Sequence, residues 1–265
     1  MAGEDVPRRI VSLVPSHTET LHDLGLADRV VGRTRFCIHP SPWVDAVPHV
    51  GGTKDARLDR ILDLRPDLVV CDKDENPKAL VDALQAAGVP VLWSEIDTVA
   101  DAAAFIEELG TACGVPEAGR IAAESTLRTL LEVRPPPGAA PLPVFCPIWH
   151  DPWMTFDRTA YPSAMLDAVG LANVFAAPAV RGWKGEKYFA VEPADVAASG
   201  ARFTLLPTEP FPFHKKAVPT SALGPCGQPG RVHVVDGEAL TWFGTRTARG
   251  LRELQRVAQS LRTAA

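Results

Sequence analysis

Apolar runs of four or five residues alternate along the chain with stretches whose apolar positions recur every three or four, and turn-forming residues separate the two. The run at 10–14 (IVSLV) predicts a buried strand. Behind it, Ser16-His17-Thr18-Glu19 has the form of a capping box, Ser16 accepting from the third helical amide while Glu19 reaches back, so a helix is expected from His17. A second short strand falls at 30–32. LDRILDL at 58–64 carries helical spacing, and Arg65-Pro66-Asp67 stops it before the strand at 68–71. Pro77 opens a helix to 87 that Gly88 closes, 89–93 (VPVLW) is the next strand, and 98–113 the next helix. Repeated strand-helix-strand segments of this length predict a mostly parallel sheet covered on both faces.

After Gly114 the pattern changes, because 116–133 holds Ile121, Leu127, Leu130 and Leu131 at helical spacing with no strand directly behind. One long helix is the simplest reading, ended by RPPPGAAPLP at 134–143. Alternation then resumes: strand 144–149, helix 161–169, helix 193–199, strands 202–206 and 231–235, and a last helix at 245–262. The expected fold is α/β, two Rossmann-like lobes joined by a single long backbone helix, with a ligand cleft between the lobes. The expected divisions are an N-terminal lobe at 1–114, a bridging helix at 115–134 and a C-terminal lobe at 135–265.

Composition narrows the function. A chain of 265 residues can bury a sizeable core. The net charge of -5 and the lack of any long Lys/Arg run argue against nucleic acid as a partner. The cysteines at 37, 71, 113, 146 and 226 form no Cys-x-x-Cys pair, so reduced thiols in a reducing compartment are expected, not a disulfide framework or a structural zinc. The apolar run behind Arg8-Arg9 ends at Val14, too short for the core of an export signal. No segment approaches the roughly 18 to 20 apolar residues that cross a bilayer. These features predict a cytoplasmic location without membrane insertion.

Candidate chemistry gathers at strand ends. ILDLRPDLVVCDKDE and ADVAASGARFTLLPTE share a plan, a short helix, a break, an apolar strand and then acid, which sets Asp74 and Glu75 opposite Glu209. Ligands collect outside the carboxyl ends of open parallel sheets, so Glu75 and Glu209 are expected to face a cleft; the competing reading is that they cap the next helix. Trp149 and Trp153 flank His150-Asp151-Pro152, Trp183 and Tyr188 sit in RGWKGEKY, Phe211 and Phe213 follow Glu209, and Trp242-Phe243 precedes Gly244. All fall in predicted loops, where aromatics grip a flat ligand by stacking; taken singly, each can equally plug a lobe.

VPSHTETLHDLG, the FCIHP loop, VGGTKD at 50–55, LDRILDLRPDLVV, KDEN at 73–76, PIWHDPWMT at 147–155, EPFPF at 209–213 and VDGEALTWFG at 235–244 recur in order. Through them the chain, from about Arg9 to Leu261, resembles the iron/B12-type (class III) substrate-binding proteins. More narrowly, it resembles the helical-backbone metal receptor or cobalamin-binding-like subgroup. The resemblance implies two lobes bridged by a rigid helix and a metal chelate, corrinoid, haem or siderophore, held in the cleft, with no catalytic residues. Exported relatives dock on a membrane transporter through acidic surface residues. Here Asp59 stands where a glutamate often does and no signal is visible, which argues against transporter docking. A homodimer is left open.

RTRFCIHP places Cys37 and His39 at i and i+2, on one side of an extended segment, where both can reach one metal or the axial face of a chelate. Further ligands would come from Glu75 or Glu209, with His150, Asp151 and His214 nearby in the same scheme. A nucleophilic Cys37 and simple packing of Cys37 and His39 are the other readings. The ligand-binding set is therefore Phe36, Cys37, His39, Glu75, Trp149, Trp153, Trp183, Glu209, Phe211 and Trp242, for a small-molecule metal chelate or a transition-metal ion. A metal-dependent enzyme on the same scaffold is the alternative. His17 is read as solvated or as a donor to an anionic ligand, Gly51-Gly52 as a tight turn, and the basic residues Arg246, Arg249, Arg252, Arg256 and Arg262 as a solvated face.

Overall fold

A computed structural model describes residues 6–176 and 185–264. The chain divides into two lobes. The first takes in Met1–Ile96, Ala100–Leu127 and Phe243–Thr247; the second takes in Asp97–Val99, Arg128–Trp242 and Ala248–Ala265.

In the first lobe the strands are β1 (Ile10–Ser12), β2 (Val30–Arg33), β3 (Leu68–Asp72) and β4 (Val91–Ser94). They alternate with the helices α1 (Pro15–Asp23), α2 (Leu58–Asp63), α3 (Lys78–Ala86) and α4 (Val99–Ala112). The sheet order is β2-β1-β3-β4, all parallel. Every residue of β3 is buried, as a central parallel strand covered on both faces requires. Ile61 of α2 and Val81 and Leu84 of α3 pack on Val11, Val69 and Cys71 of the sheet.

The helix at α1 starts two residues earlier than the capping box predicts. Pro15 occupies the first turn, where its fixed φ suits the helix and its missing N–H costs nothing, and Val14 precedes it with no side-chain cap. Ser16 is therefore inside the helix and not its cap. Glu19, expected to reach back to the helix start, makes a two-pronged ion pair with Arg246 (2.6 and 2.8 Å). Asp67 accepts from the amides of Arg8 and Arg9 (both 2.8 Å) and so ties the start of β1 to the turn before β3.

Helix α5 (Pro116–Val133) is the long backbone helix, and the division between the lobes falls inside it, after Leu127. The second lobe has β5 (Leu142–Phe145), β6 (Met154–Phe156), α6 (Tyr161–Ala168), β7 (Leu171–Asn173), β8 (Tyr188–Ala190) and α7 (Pro193–Ala198). Then come β9 (Phe203–Pro207), β10 (Val232–Val235), α8 (Gly237–Thr241) and α9 (Arg246–Thr263). Its main sheet is parallel in the order β10-β9-β5-β7, and β6 and β8 form a separate antiparallel pair. The strand expected at 144–149 ends at Phe145, since Pro147 has no amide for a further ladder bond.

Read as first, second, third and fourth main-sheet strands, both lobes have the order second-first-third-fourth. The internal kinship suggested by the two helix-strand-acid segments thus extends to topology: Leu68–Asp72 and Phe203–Pro207 are both third strands. The arginines of α9 are not a uniform solvated face. Arg246 is buried on Glu19, Arg252 donates to Thr129 (2.9 Å), and Arg262 donates to the carbonyls of Ala140 and Gly170 (3.2 and 2.8 Å). Arg246 is the one buried member of the five; Arg249, Arg252, Arg256 and Arg262 are exposed.

Candidate functional site

In each lobe the strand order reverses between the first and third strands, β1/β3 and β5/β9. Chains leave such a pair in opposite directions, opening a crevice at the carboxyl ends where ligands of open α/β sheets bind. The loops following these strands hold Glu75, Trp149, Trp153, Glu209 and Phe211, while Phe36, Cys37 and His39 follow β2 and Trp242 follows α8.

In the first lobe the turn after β3 is built by its own side chains. Asp72 Oδ1 accepts from the amides of Asp74 (2.9 Å) and Glu75 (3.2 Å). Asn76 accepts from the Asp72 amide (2.9 Å) and donates to the carbonyls of Leu13 (3.2 Å) and Thr53 (3.0 Å). Glu75 is thereby held at the tip, half-buried, on a backbone that cannot drift without breaking these bonds. The second oxygen of Asp72 accepts from Ser94 Oγ (2.6 Å), and Ser94 Oγ lies 2.8 Å from His17 Nε2. Burial raises the Asp72 carboxyl to about 6, and burial lowers His17 to about 3. His17 is fully buried, with Phe105 at 4.6 Å and Phe243 at 5.0 Å between ring centroids, so neither the solvated nor the ligand-donor reading describes it.

The loop after β2 carries RTRFCIHP. Phe36 and Ile38 are both half exposed, and Arg35 lies over the Phe36 ring at 4.8 Å. Cys37 between them is buried, with Thr18 Oγ1 and Thr34 Oγ1 at 3.0 and 3.1 Å from its sulfur. Burial pushes this thiol up, away from the thiolate that metal ligation or nucleophilic attack requires. His39 is half-buried at the end of the loop. Among the described residues no three His, Cys, Asp or Glu side chains converge on a position where a metal ion could be held. Gly51 and Gly52 form the tight turn expected of them: Gly51 has φ +130, and the Gly52 amide donates to Asp55 (2.7 Å), whose carboxylate also pairs with Arg35 (3.0 Å).

The second lobe's loops after β5 and β9 are set by rings. A short hairpin closes on the Ile148 amide donating to the Met154 carbonyl (2.8 Å) and the Met154 amide donating to the Trp149 carbonyl (3.1 Å). At its tip Trp149 is 43% exposed, among the described candidates the most open aromatic after Phe36, and meets Phe211 edge-on at 5.3 Å. His150 lies edge-on to Trp153 (4.7 Å) and near Phe211 (6.0 Å). Trp153, Phe211 and Phe213 are buried with Phe145, Phe175 and Phe189. The expectation that the loop aromatics stand clear of the core is corrected for these three and for Trp242 and Phe243, which are buried as well: large apolar rings gain most by leaving water, and these loops fold inward to cover them.

Glu209 also has a role that sequence spacing did not reveal. Its Oε1 accepts from the Trp242 indole (2.6 Å) and from Thr241 Oγ1 (3.0 Å), and burial raises its carboxyl. It anchors buried Trp242 at the end of α8, and Gly237 packs so closely on Glu209 that no Cβ would fit there. Trp183 lies outside the described residues. Asp72, Ser94, Asn76 and the burial of His17 escaped sequence reasoning. The one signal for them was an acid, Asp72, at the strand's end just ahead of Lys-Asp-Glu-Asn, a run suited to side-chain-closed turns.

Two parallel α/β lobes of like strand order and a backbone helix define a two-lobe binding-protein scaffold. The chain belongs to the periplasmic binding protein family, whose model matches residues 10–193. A vitamin B12-binding protein of Yersinia pseudotuberculosis serotype O:3 (strain YPIII) is 24% identical over 257 residues, 96% of this chain and 86% of the relative. Among solved structures, a periplasmic heme-binding protein from Roseiflexus sp. RS-1 superposes with a TM-score of 0.82 at 22% identity, covering 97% of this chain and 98% of that one. A periplasmic vitamin B12 binding protein of Vibrio cholerae gives 0.79 at 22% identity, covering 96% and 98%.

Proposed function

We propose that this protein binds a metal chelate of the corrinoid or heme type through the switch-point loops of its sheets. The observation that carries the reading is Trp149: a large ring left 43% exposed at the carboxyl end of β5, backed edge-on by Phe211 and offering its face for stacking. Within the first lobe, Phe36 and Ile38 on the loop after β2 present exposed apolar surface of their own, of a kind that suits a partly apolar ligand. Vitamin B12 and heme are what the relatives' names specify, and both are broad metal macrocycles that such surfaces suit. Glu75 supplies a polar contact from a fixed turn, whereas Glu209 acts through Trp242. In this reading the metal arrives within its chelate; Cys37, held as a thiol, is packing beneath the Phe36/Ile38 loop and not a ligand.

The location is a separate proposal. Five free, buried cysteines suit a reducing compartment, and fractionating cells that express the complete gene tests a cytoplasmic placing against an exported one. For binding, the protein is incubated with hemin or cyanocobalamin and passed over a desalting column. Co-elution of one chelate with a shifted visible spectrum is expected; protein that emerges colourless from both contradicts the proposal.

A further inference from the structure

Three secondary-structure ends of the first lobe meet at a buried chain of polar side chains that ligand contact does not explain. His17 comes from the first turns of α1, Ser94 is the last residue of β4, and Asp72 is the last of β3, paired in register with Ser94. All three are at least nine-tenths buried. Ser94 Oγ has two acceptors for its proton, Asp72 Oδ2 at 2.6 Å and the Cys71 carbonyl at 3.2 Å; donating to either leaves its lone pair to accept from His17 Nε2, which then carries the ring proton. His17 Nδ1 then holds a bare lone pair with no hydrogen-bond partner, sealed beneath the rings of Phe105 and Phe243. Leaving a buried acceptor unpaired is costly, and an apolar ring would fill the space without that cost. The expense is explained if the Nε2 end has work to do.

That work is visible at the other end of the chain. Asp72 spends one oxygen on Ser94 and the other on the amides of Asp74 and Glu75. Without the fixed Ser94 donor the carboxylate would be free to rotate, and the two amides would lose their common acceptor. The turn has further charges around it: Lys54 donates to the Asp74 carbonyl, and Lys73 pairs with Glu95 across the ends of β3 and β4. These lie on the exposed side and leave the carboxylate's own orientation to Ser94.

We propose that His17, Ser94 and Asp72 are positioning residues, a buried hydrogen-bonded strut that fixes the 73–76 turn and so the ligand-facing placement of Glu75. The inference rests on the chelate-binding reading for its ligand arm but not for its structural arm.

The test separates the two. Hydrogen exchange of the Asp74 and Glu75 amides and the ¹⁵N signature of the His17 ring are recorded for the wild type, Asp72→Ala, Asp72→Asn and Ser94→Ala, with hemin and cyanocobalamin affinities alongside. In the wild type, His17 is expected as a single Nε2–H tautomer. Asp72→Ala should speed exchange at both amides and weaken chelate binding, each on the order of tenfold, as loss of bonds to a charged acceptor implies. Asp72→Asn keeps an acceptor oxygen and should restore most of both. Ser94→Ala, the milder change, should blur the His17 tautomer and loosen the same two amides, which keeps the idea testable if Asp72→Ala fails to fold. Unchanged exchange at Asp74 and Glu75 in Ser94→Ala overturns the strut. Faster exchange with unchanged affinity overturns its service to the ligand. A wild type that binds neither chelate sinks the binding reading, while the exchange arm still decides the strut.

Discussion

The two lobes share one strand order but fix their switch-point loops by different physics. In the first, Val11, Ile61, Val69, Val81 and Leu84 form an aliphatic core, and directional bonds from Asp72 and Asn76 set the loops. In the second, Phe145, Trp153, Phe175, Phe189, Phe211 and Phe213 pack together, and the loops follow the rings. A directional network fails when one atom is removed, because the partners left behind are buried and unpaired. A ring cluster fails by lost area and volume. The same topology can thus present a ligand surface on either kind of support.

The contrast can be broken most forcefully at Trp153. Replacing it by Ala removes a ring that touches Phe145, His150 and Phe213 and should cost about 3–5 kcal/mol in urea unfolding. A loss below about 1 kcal/mol, the level of an ordinary surface substitution, would show that the aromatic cluster is not the support it looks like. Next in size is the first lobe's clasp. Glu19→Ala removes the two-pronged carboxylate partner of the buried Arg246 guanidinium and should cost about 3 kcal/mol, whereas Glu19→Leu with Arg246→Met should recover much of that. If the double variant is no more stable than the single one, the loss is in packing and not in the broken ion pair.

The smallest effect is one of pH. His17 has an ordinary value of 6.5 and sits at about 3 in the fold, so its contribution is present above 6.5 and lost as pH falls toward 3. Asp72 is opposite: at about 6 in the fold against 3.8 ordinarily, it adds stability as pH falls from 6 to 3.8. Each slope is about 1.4 kcal/mol per pH unit, and between pH 6 and pH 4 they offset. Asp72→Asn removes the offset, so its stability relative to the wild type should drop steadily over that interval in urea melts. Parallel curves for the two proteins would mean that Asp72 does not titrate there.

Much of the architecture was legible because it is written in apolar runs with hard stops. LVVC before Asp72, VPVLW after Gly88 and the long segment ending at RPPPG each gave an element near its observed place. Strands of three residues such as β6, β7 and β8 are too short to show a period, and the β6/β8 pairing joins segments more than thirty residues apart in sequence. The site was harder for a different reason. Helix α1 buries Ser16, His17, Thr18 and Thr20 through bonds among polar groups, so a stretch that hydropathy reads as surface is interior. The aromatics misled in the reverse direction, since loop position says nothing about which way a loop folds. Trp149 and Phe36 kept the exposure that the stacking idea needs; Trp153 and Phe211 did not.

The central claim is that a chelate stacks on the exposed face of Trp149. Calorimetric titration of the wild type and of Trp149→Ala with hemin and with cyanocobalamin tests it most directly. The account predicts saturable one-site binding of at least one chelate by the wild type, weakened on the order of tenfold in Trp149→Ala with thermal stability nearly unchanged. Equal affinity of the two proteins for the chelate that binds would contradict it.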